Sequence, residues 1–261
     1  MPRMTKSLPA LCTAILLTAA IIYGCGEQEL YSRYRDREVI IDGHDTEWEG
    51  ARYLIDRRSV VAGVMNDDSY LYLRLSTWDP LIKRQINELG MTVWFEAGKN
   101  PQRRFAIHYP LPTAPRLLRG DLATSGDSTA VIDSTSVKSG IVILGPGKDE
   151  RRILSNDEAA GQGIIVRTGN DEEHLIYEAR IPLVAHNGET MALAGEFPQS
   201  VIVECLTGML SYKDLDEIAA RDRARLGNAS RGTMSSETPW STQSTPVSFD
   251  LSLKIVLSPP S

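Results

Sequence analysis

The chain contains little of what enzyme active sites are usually built from. Its four histidines are scattered, at positions 44, 108, 174 and 186. No G-x-S-x-G, H-E-x-x-H or P-loop sequence occurs. Asp45 and Glu47 come nearest to a carboxylate pair, but side chains two residues apart do not flank a glycosidic bond from opposite sides. These absences argue against catalysis, and we expect a protein that is not an enzyme.

Basic residues are also in short supply. The chain has 28 Lys and Arg against 34 Asp and Glu, which gives a formal net charge of −6. Proteins that bind nucleic acid neutralise phosphates with clustered basic side chains, and no such stripe is present. The composition therefore excludes nucleic acid as an expected partner.

Long apolar runs are absent except at the start of the chain. Residues 8–22, LPALCTAILLTAAII, follow a short segment that carries Arg3 and Lys6. A charged segment and then a short apolar run are typical of a signal peptide, and the run is short for a membrane span. It ends in IYGCG, and a small residue directly before a cysteine resembles the lipobox of bacterial lipoproteins. The resemblance implies cleavage after residue 24 and acylation, for example with palmitate, at Cys25.

The alternative to cleavage is an uncleaved N-terminal anchor, and both interpretations tether the protein to a membrane. Several acyl chains, at ~0.8 kcal/mol per buried CH₂, hold a protein firmly. We expect a location in the bacterial cell envelope, with the outer membrane favoured over the inner. Residues 25–37 are polar and without a sustained apolar period, which predicts a tether between the lipid and the domain.

Cysteine is scarce enough to exclude a disulfide framework. Of three cysteines, Cys12 would leave with the signal peptide and Cys25 would carry lipid, so that Cys205 alone remains. No intramolecular disulfide is then available, and the fold must depend on its core.

Period-two alternation is what the rest of the chain does contain. Leu71, Leu73 and Leu75 alternate with polar and aromatic residues, and residues 91–97 and 249–257 repeat the pattern. Shorter candidate strands cover residues 59–65, 103–109, 140–144, 163–168, 174–181 and 200–206. Strands with one apolar face are typical of antiparallel sheets. The pattern predicts an all-β domain over residues 38–261, an antiparallel β-sandwich or jelly roll.

One helix and two long loops complete the prediction. Residues 212–226 show a thin apolar stripe of Leu215, Ile218 and Leu226 in a mostly charged segment, which predicts a peripheral surface helix. Residues 110–137 and 228–247 are rich in Pro, Ser, Thr, Asp and Gly and predict loop insertions.

A short acidic corner, VIIDGHDTEWEG at residues 39–50, suggests a family. Residues 39–41 predict a strand, Asp42 and Gly43 predict a turn, and Trp48 is expected to form an apolar plug over the end of the sandwich. Together with NDDSYLYLRLSTWD at 66–79 and YEARIPL at 177–183, the corner resembles the signatures of carbohydrate-binding module family 9-like (DOMON-like) domains. The resemblance covers roughly residues 38–257, although residues 110–160 match no part of the family pattern. It implies a β-sandwich and, for some members, calcium and sugar binding, while wider relatives include haem-binding domains.

Aromatic residues on one strand form the first candidate site. Tyr70, Tyr72 and Trp78 share one face, and Trp94 would lie on a neighbouring strand. Sugars stack their C–H faces on such rings, while Arg74 and Glu96 can exchange hydrogen bonds with hydroxyl groups. Cross-strand packing within the sheet is the alternative explanation for the same residues.

Acidic turns form the second candidate site, for calcium. Asp42, Asp45, Glu47, Asp67 and Asp68 supply the oxygen donors that Ca²⁺ prefers, although their spacing is not that of an EF-hand loop. Solvated turn acids are the alternative.

A third candidate is non-covalent haem, for which Met65, His108 and Met209 lie in or near strands. C-x-x-C-H, which attaches haem covalently, does not occur. The sequence as a whole predicts an envelope lipoprotein that binds a glycan or another small ligand through a β-sandwich. A structural or protein-partner lipoprotein without a small ligand is the main alternative, ahead of haem binding.

Overall fold

The computed structural model describes the β domain and leaves several predicted features outside it. The described residues are 28–44, 46–55, 59–97, 105–112, 140–145, 150–170, 173–185, 191–210, 220, 224 and 248–259. The predicted signal peptide, Cys25 and nearly all of the predicted insertions lie outside these ranges. Of the predicted helix at 212–226, only residues 220 and 224 are described, and both are helical and exposed.

The described residues form thirteen strands and two short helices. The strands are β1 Gln28–Tyr31, β2 Arg33–Tyr34, β3 Arg52–Ile55, β4 Val60–Asn66, β5 Tyr70–Thr77, β6 Met91–Ala97, β7 Phe105–Tyr109, β8 Gly140–Leu144, β9 Arg151–Ser155, β10 Ile165–Asn170, β11 Leu175–Pro182, β12 Ser200–Thr207 and β13 Asp250–Val256. The helices are α1 Pro80–Leu89 and α2 Asn156–Gly161. The all-β prediction is thereby confirmed.

Two sheets pack face to face. The larger has the strand order β1-β13-β12-β6-β7-β8-β9, and the smaller β10-β11-β5-β4-β2, with β3 also paired to β4. Neighbouring strands are antiparallel except for β1 with β13 and β2 with β4. The inward residues of the alternating strands make one core, which includes Leu73, Val93, Phe95 and Leu253, all fully buried. The alternation seen in the sequence is the inward–outward alternation of these strands.

The first two strands correct the predicted domain boundary. Gln28–Tyr31 extends the larger sheet and Arg33–Tyr34 the smaller, so the chain crosses between the sheets at Ser32. Leu30 is 2 % exposed within the core. The domain therefore begins at residue 28 rather than 38, and residues 28–34 are not a tether. Their alternation is too short to stand out from a polar segment.

Helix α1 was not predicted, although its ends carry recognisable signals. The Asp79 carboxylate accepts hydrogen bonds from the backbone N–H groups of Leu81 and Ile82, and Pro80 occupies the first turn. Gly90, with φ 78°, follows the last helical residue. Ile86 and Leu89 are buried, so the helix is held by its apolar stripe.

Helix α1 closes one end of the sandwich, which we call the α1 end. There β5 and β12 terminate and β4, β6, β11 and β13 begin. The Thr207 hydroxyl donates to the Gln85 side-chain oxygen of α1, 3.2 Å away. A cavity of about 10 Å³ lies beneath the helix, between Thr77, Met91, Leu175 and Phe249. It is apolar and has room for no more than a single water.

Within the described ranges, no helix is long and apolar enough to cross a bilayer.

Candidate functional site

The corner at residues 39–50 is organised around a buried carboxylate. Glu178 of β11 is 0 % exposed. Its Oε2 accepts hydrogen bonds from the backbone N–H groups of Gly43, at 2.8 Å, and Asp42, at 3.1 Å. Its Oε1 accepts from the indole Nε1 of Trp48, at 2.6 Å. One carboxylate therefore ties the turn and the tryptophan of the corner to the smaller sheet.

Close backbone contacts hold the same corner in place. Trp48 is 0 % exposed, and its ring lies over Gly63, where an added Cβ would come within 2.8 Å of Cε3. Gly43, with φ 86°, lies against Gly169 of β10, where a Cβ would come within 2.0 Å of the Gly43 carbonyl oxygen. The corner is thus a structural staple across β4, β10 and β11. Trp48 is buried as an apolar plug, as predicted, but it covers the outer face of the smaller sheet at Gly63 rather than the end of the sandwich.

Burial and hydrogen bonding act on Glu178 in opposite directions. Desolvation is the largest influence and raises the pKa of Glu178, and the nearby Asp42 carboxylate raises it further. The hydrogen bonds from Gly43, Trp48 and Asp42 lower the pKa in part. The net pKa is raised, so the ionised carboxylate depends on its three donors.

The predicted calcium ligands that are described do not converge. No group of three or more His, Cys, Asp or Glu residues in the described part of the chain could hold a metal ion. The Asp42 carboxylate accepts from the His44 N–H in a local turn, and Asp68 accepts from the Tyr34 hydroxyl. Glu47 lies half-buried beside Trp48 in the chain, and Asp45 lies outside the described residues.

Asp67 has its oxygens occupied by protein donors. They accept hydrogen bonds from the N–H groups of Ser69 and Tyr70 and from the Tyr72 hydroxyl. Arg35 forms an ion pair with Asp67 at 2.6 Å. These contacts fix the β4–β5 hairpin and account for an acidic residue there without an ion.

The corner covers most of the predicted aromatic platform on β5. Tyr72 is 4 % exposed and packs with Trp48 in a small apolar cluster, and Arg74 is 3 % exposed. Tyr70 is half-buried beneath the Arg180 guanidinium, whose central carbon lies 4.6 Å from the ring centroid. These three side chains lie on one face of β5, as predicted, but that face is packed against protein.

Two other platform residues lie in the opposite sheet. Trp94 and Glu96 are on β6 of the larger sheet and half-buried on its outward face, whereas β5 belongs to the smaller sheet. The expectation that Trp94 neighbours β5 is therefore wrong. Alternation shows the face on which a residue lies but not which strands are adjacent.

Trp78 is the member of the set that faces solvent. It follows β5 at the α1 end and is 44 % exposed. Its ring meets that of His174 edge-on, with the centroids 6.1 Å apart. Lys83 of α1 donates from Nζ to the carbonyl oxygen of Glu173, at 2.8 Å. The site thus combines a partly exposed indole, an imidazole and a helix that is held to the adjoining segment.

Sequence reasoning missed His174. Its position beside Trp78 depends on the pairing of Leu175 with Thr77 in the β5–β11 ladder. The two aromatic residues are far apart in the chain, and alternation within either strand does not show that pairing. The one available signal was that both residues flank strand ends.

The candidate haem ligands are separated. Met65 is on β4 of the smaller sheet, His108 on β7 of the larger, and Met209 is 57 % exposed after β12. Burial and the nearby Arg151 charge lower the pKa of His108 to about 4. Its Nδ1 lies 2.9 Å from the Thr92 hydroxyl, and its ring packs against Gly90. The neutral ring serves packing.

The remaining thiol is enclosed. Cys205 on β12 is 0 % exposed, and burial raises its pKa above the ordinary value for a thiol. A buried thiol of this kind is unreactive.

Comparison with known proteins gives matches only among solved structures. No protein-family model and no curated protein matches the chain. Similar structures include a carbohydrate binding module family 9 from Caldicellulosiruptor kristjanssonii in complex with cellotriose, at 12 % identity and a TM-score of 0.37, covering 72 % of this chain and 80 % of that one. A structure of such a module from the same organism in complex with glucose has 10 % identity and a TM-score of 0.41, with coverage of 90 % and 97 %.

Proposed function

We propose that the chain is a non-catalytic lipoprotein of the bacterial envelope that binds a carbohydrate through Trp78 and His174. The observation that carries the proposal is the exposed indole at the α1 end. A tryptophan held at a strand end, with 44 % of its surface open, offers an apolar plane to a pyranose ring. The imidazole of His174 lies against the indole at the rim of that plane, with the ring centroids 6.1 Å apart and the rings nearly perpendicular.

The anchoring part of the proposal depends on the N-terminal sequence. The charged start, the apolar run at 8–22 and the Gly24–Cys25 pair favour cleavage before Cys25 and its acylation. The outer membrane is the proposed location, as the sequence prediction has it.

The same site supports the proposal that the protein does not hydrolyse the sugar it binds. Sugar hydrolysis uses two carboxyl groups on opposite sides of the glycosidic bond. The Asp79 carboxylate, next to Trp78, is instead bound to the backbone of α1 as its N-cap. It is therefore not available as a general acid or base.

The test is a glycan-array screen of the purified mature protein in detergent. Wild type, Trp78→Ala and His174→Ala are compared, with and without calcium. Trp94→Ala is the matched control, because Trp94 is a half-buried tryptophan on the other sheet. We expect binding that Trp78→Ala abolishes, that His174→Ala weakens and that Trp94→Ala leaves unchanged.

Other outcomes assign the function differently. A calcium requirement would restore the acidic turns as an ion site. Loss of binding in Trp94→Ala alone would move the site to the outer face of the larger sheet. No binding by any form of the protein would overturn the carbohydrate proposal and favour a structural or protein-partner role.

A further inference from the structure

The distance between Cys25 and the fold is short. Strand β1 begins at Gln28, where it pairs with Leu253 of β13. A fully extended chain spans at most ~3.6 Å per residue, so the Cα atoms of Cys25 and Gln28 lie within about 11 Å of each other. A lipid on Cys25 would therefore keep the domain against the bilayer surface.

The direction of β1 decides which part of the domain is near that lipid. β1 is parallel to β13, and β13 begins at the α1 end with Asp250. The chain thus enters β1 from the side of the α1 end. Gln28, the residue through which Cys25 is joined to the domain, is thus at the end of β1 nearer the α1 end.

Large apolar side chains are exposed at the same end. Trp78 is 44 % exposed beyond β5, and Met209 is 57 % exposed beyond β12. Leu54, on the edge strand β3, is 66 % exposed and precedes Ile55, which pairs with Val60 at the start of β4. Tryptophan is enriched where proteins meet the interfacial region of a membrane.

We infer that the α1 end faces the membrane that holds Cys25, with Trp78, Met209 and Leu54 in contact with its interfacial region. The inference rests on the acylation of Cys25 in the proposed function. It also specifies the proposed ligand, because a sugar bound at Trp78 and His174 in this orientation belongs to a glycolipid headgroup of the same bilayer.

The test measures how closely Trp78 approaches the acyl chains. The acylated protein is reconstituted in phosphatidylcholine vesicles with or without bromine on the upper acyl chain, in a Trp94→Phe, Trp240→Phe background. Its emission then comes from Trp78 and from Trp48, which is fully buried. The same background with Trp78→Phe gives the emission of Trp48 alone, and subtracting it gives the emission of Trp78. We expect brominated vesicles to reduce the emission of Trp78 and to leave the emission of Trp48 unchanged.

A linker variant tests the role of anchor length. About 20 Gly and Ser residues inserted before Gln28 give a mean reach of about 25 Å. We expect the insertion to restore most of the Trp78 emission, and quenching that persists would contradict the argument from the short anchor.

The mass of the N-terminal peptide separates the two proposals. A peptide without lipid overturns the anchoring proposal and this inference with it. An acylated peptide combined with equal Trp78 emission in both vesicle types overturns the orientation alone. Cys25→Ala provides the unanchored reference.

Discussion

At the scale of single residues, the stability of the domain depends on a few buried polar side chains. Glu178 is the clearest example, because its two oxygens accept three hydrogen bonds from the corner at residues 39–50. A buried carboxylate is tolerated only when such donors offset its desolvation. Replacement of Glu178 by the isosteric Gln therefore tests whether these hydrogen bonds stabilise the domain.

Replacing Glu178 with Gln should destabilise the domain. The glutamine amide has one oxygen that accepts hydrogen bonds and one NH₂ group that donates them. Either the Trp48 indole N–H or the N–H groups of Asp42 and Gly43 would therefore face that NH₂ group. A buried polar group left unpaired costs about 1–3 kcal/mol, and we expect a loss of that size in urea unfolding. Glu96→Gln, on the outward face of β6, is the control and should have little effect. Equal stability of both variants would contradict the role assigned to Glu178.

His108 should make the stability of the domain depend on pH. Its pKa is about 4 in the folded protein against an ordinary 6.5. Because the folded pKa is lowered, its contribution is complete above pH 6.5 and is lost as the pH falls towards 4. A difference of this size corresponds to about 3 kcal/mol.

The measurement compares wild type with His108→Asn, which keeps a polar atom towards Thr92. Glu178 has a raised pKa and contributes in the opposite direction, so the difference between the two proteins isolates His108. We expect the wild type to lose more stability than the variant between pH 6.5 and pH 4. Parallel pH profiles would show that His108 does not titrate as described.

At the scale of elements, the corner and β10 approach each other closely through two glycines. A Cβ at Gly169 would lie 2.0 Å from the carbonyl oxygen of Gly43 and 2.7 Å from its carbonyl carbon. Both contacts are with backbone, which cannot rotate away. The contact therefore sets the distance between the corner and the sheet.

Gly169→Ala should consequently push the corner away from β10. We expect a loss of about 1–3 kcal/mol, as for other overpacked sites, together with increased exposure of Trp48. Gly161→Ala is the matched control, because a Cβ there meets nothing within 4 Å. Thermal unfolding and the wavelength of tryptophan emission measure both effects. A Gly169→Ala variant with unchanged stability and unchanged tryptophan emission would mean that the corner is free to shift.

The strands were predictable from the sequence because their alternation is local. Residues 70–77 and 91–97 bury every second side chain in the larger core, and the sequence pattern shows that directly. Helix α1 was missed despite Asp79, Pro80 and Gly90, since half of its ten residues are polar and the helix lies between two strong strands. The Glu178 staple and the Trp78–His174 pair were beyond reach, because both depend on strand pairings across more than ninety residues.

At the scale of the whole molecule, strands β1 and β2 join the two sheets. The backbone N–H of Ser32 donates to the Val256 carbonyl, at 2.9 Å, and the N–H of Ser258 donates to the Ser32 hydroxyl, also at 2.9 Å. The Asn66 side chain donates to the Ser258 carbonyl oxygen, at 3.0 Å. The first strands, the β4–β5 hairpin and the end of the chain thus meet at one buried point.

A chain that starts at residue 38 should therefore be much less stable than one that starts at residue 26. The shorter chain lacks Leu30 in the core and leaves the edge of β13 unpaired. We expect a lower midpoint in urea unfolding and a greater tendency to aggregate. Equal midpoints for the two chains would instead support the predicted tether at residues 25–37.

The parallel pairing of β1 with β13 also bears on biosynthesis. Gln28 is made long before Leu253, yet the two are partners in one ladder. The larger sheet is therefore completed only after β13 is made, since the edge strand β1 waits for that neighbour. A contact between such distant parts of the chain is slow to form. Until β13 is made, the nascent protein exposes Leu30 and an open strand edge, which makes this interval the one in which a chaperone would be needed most.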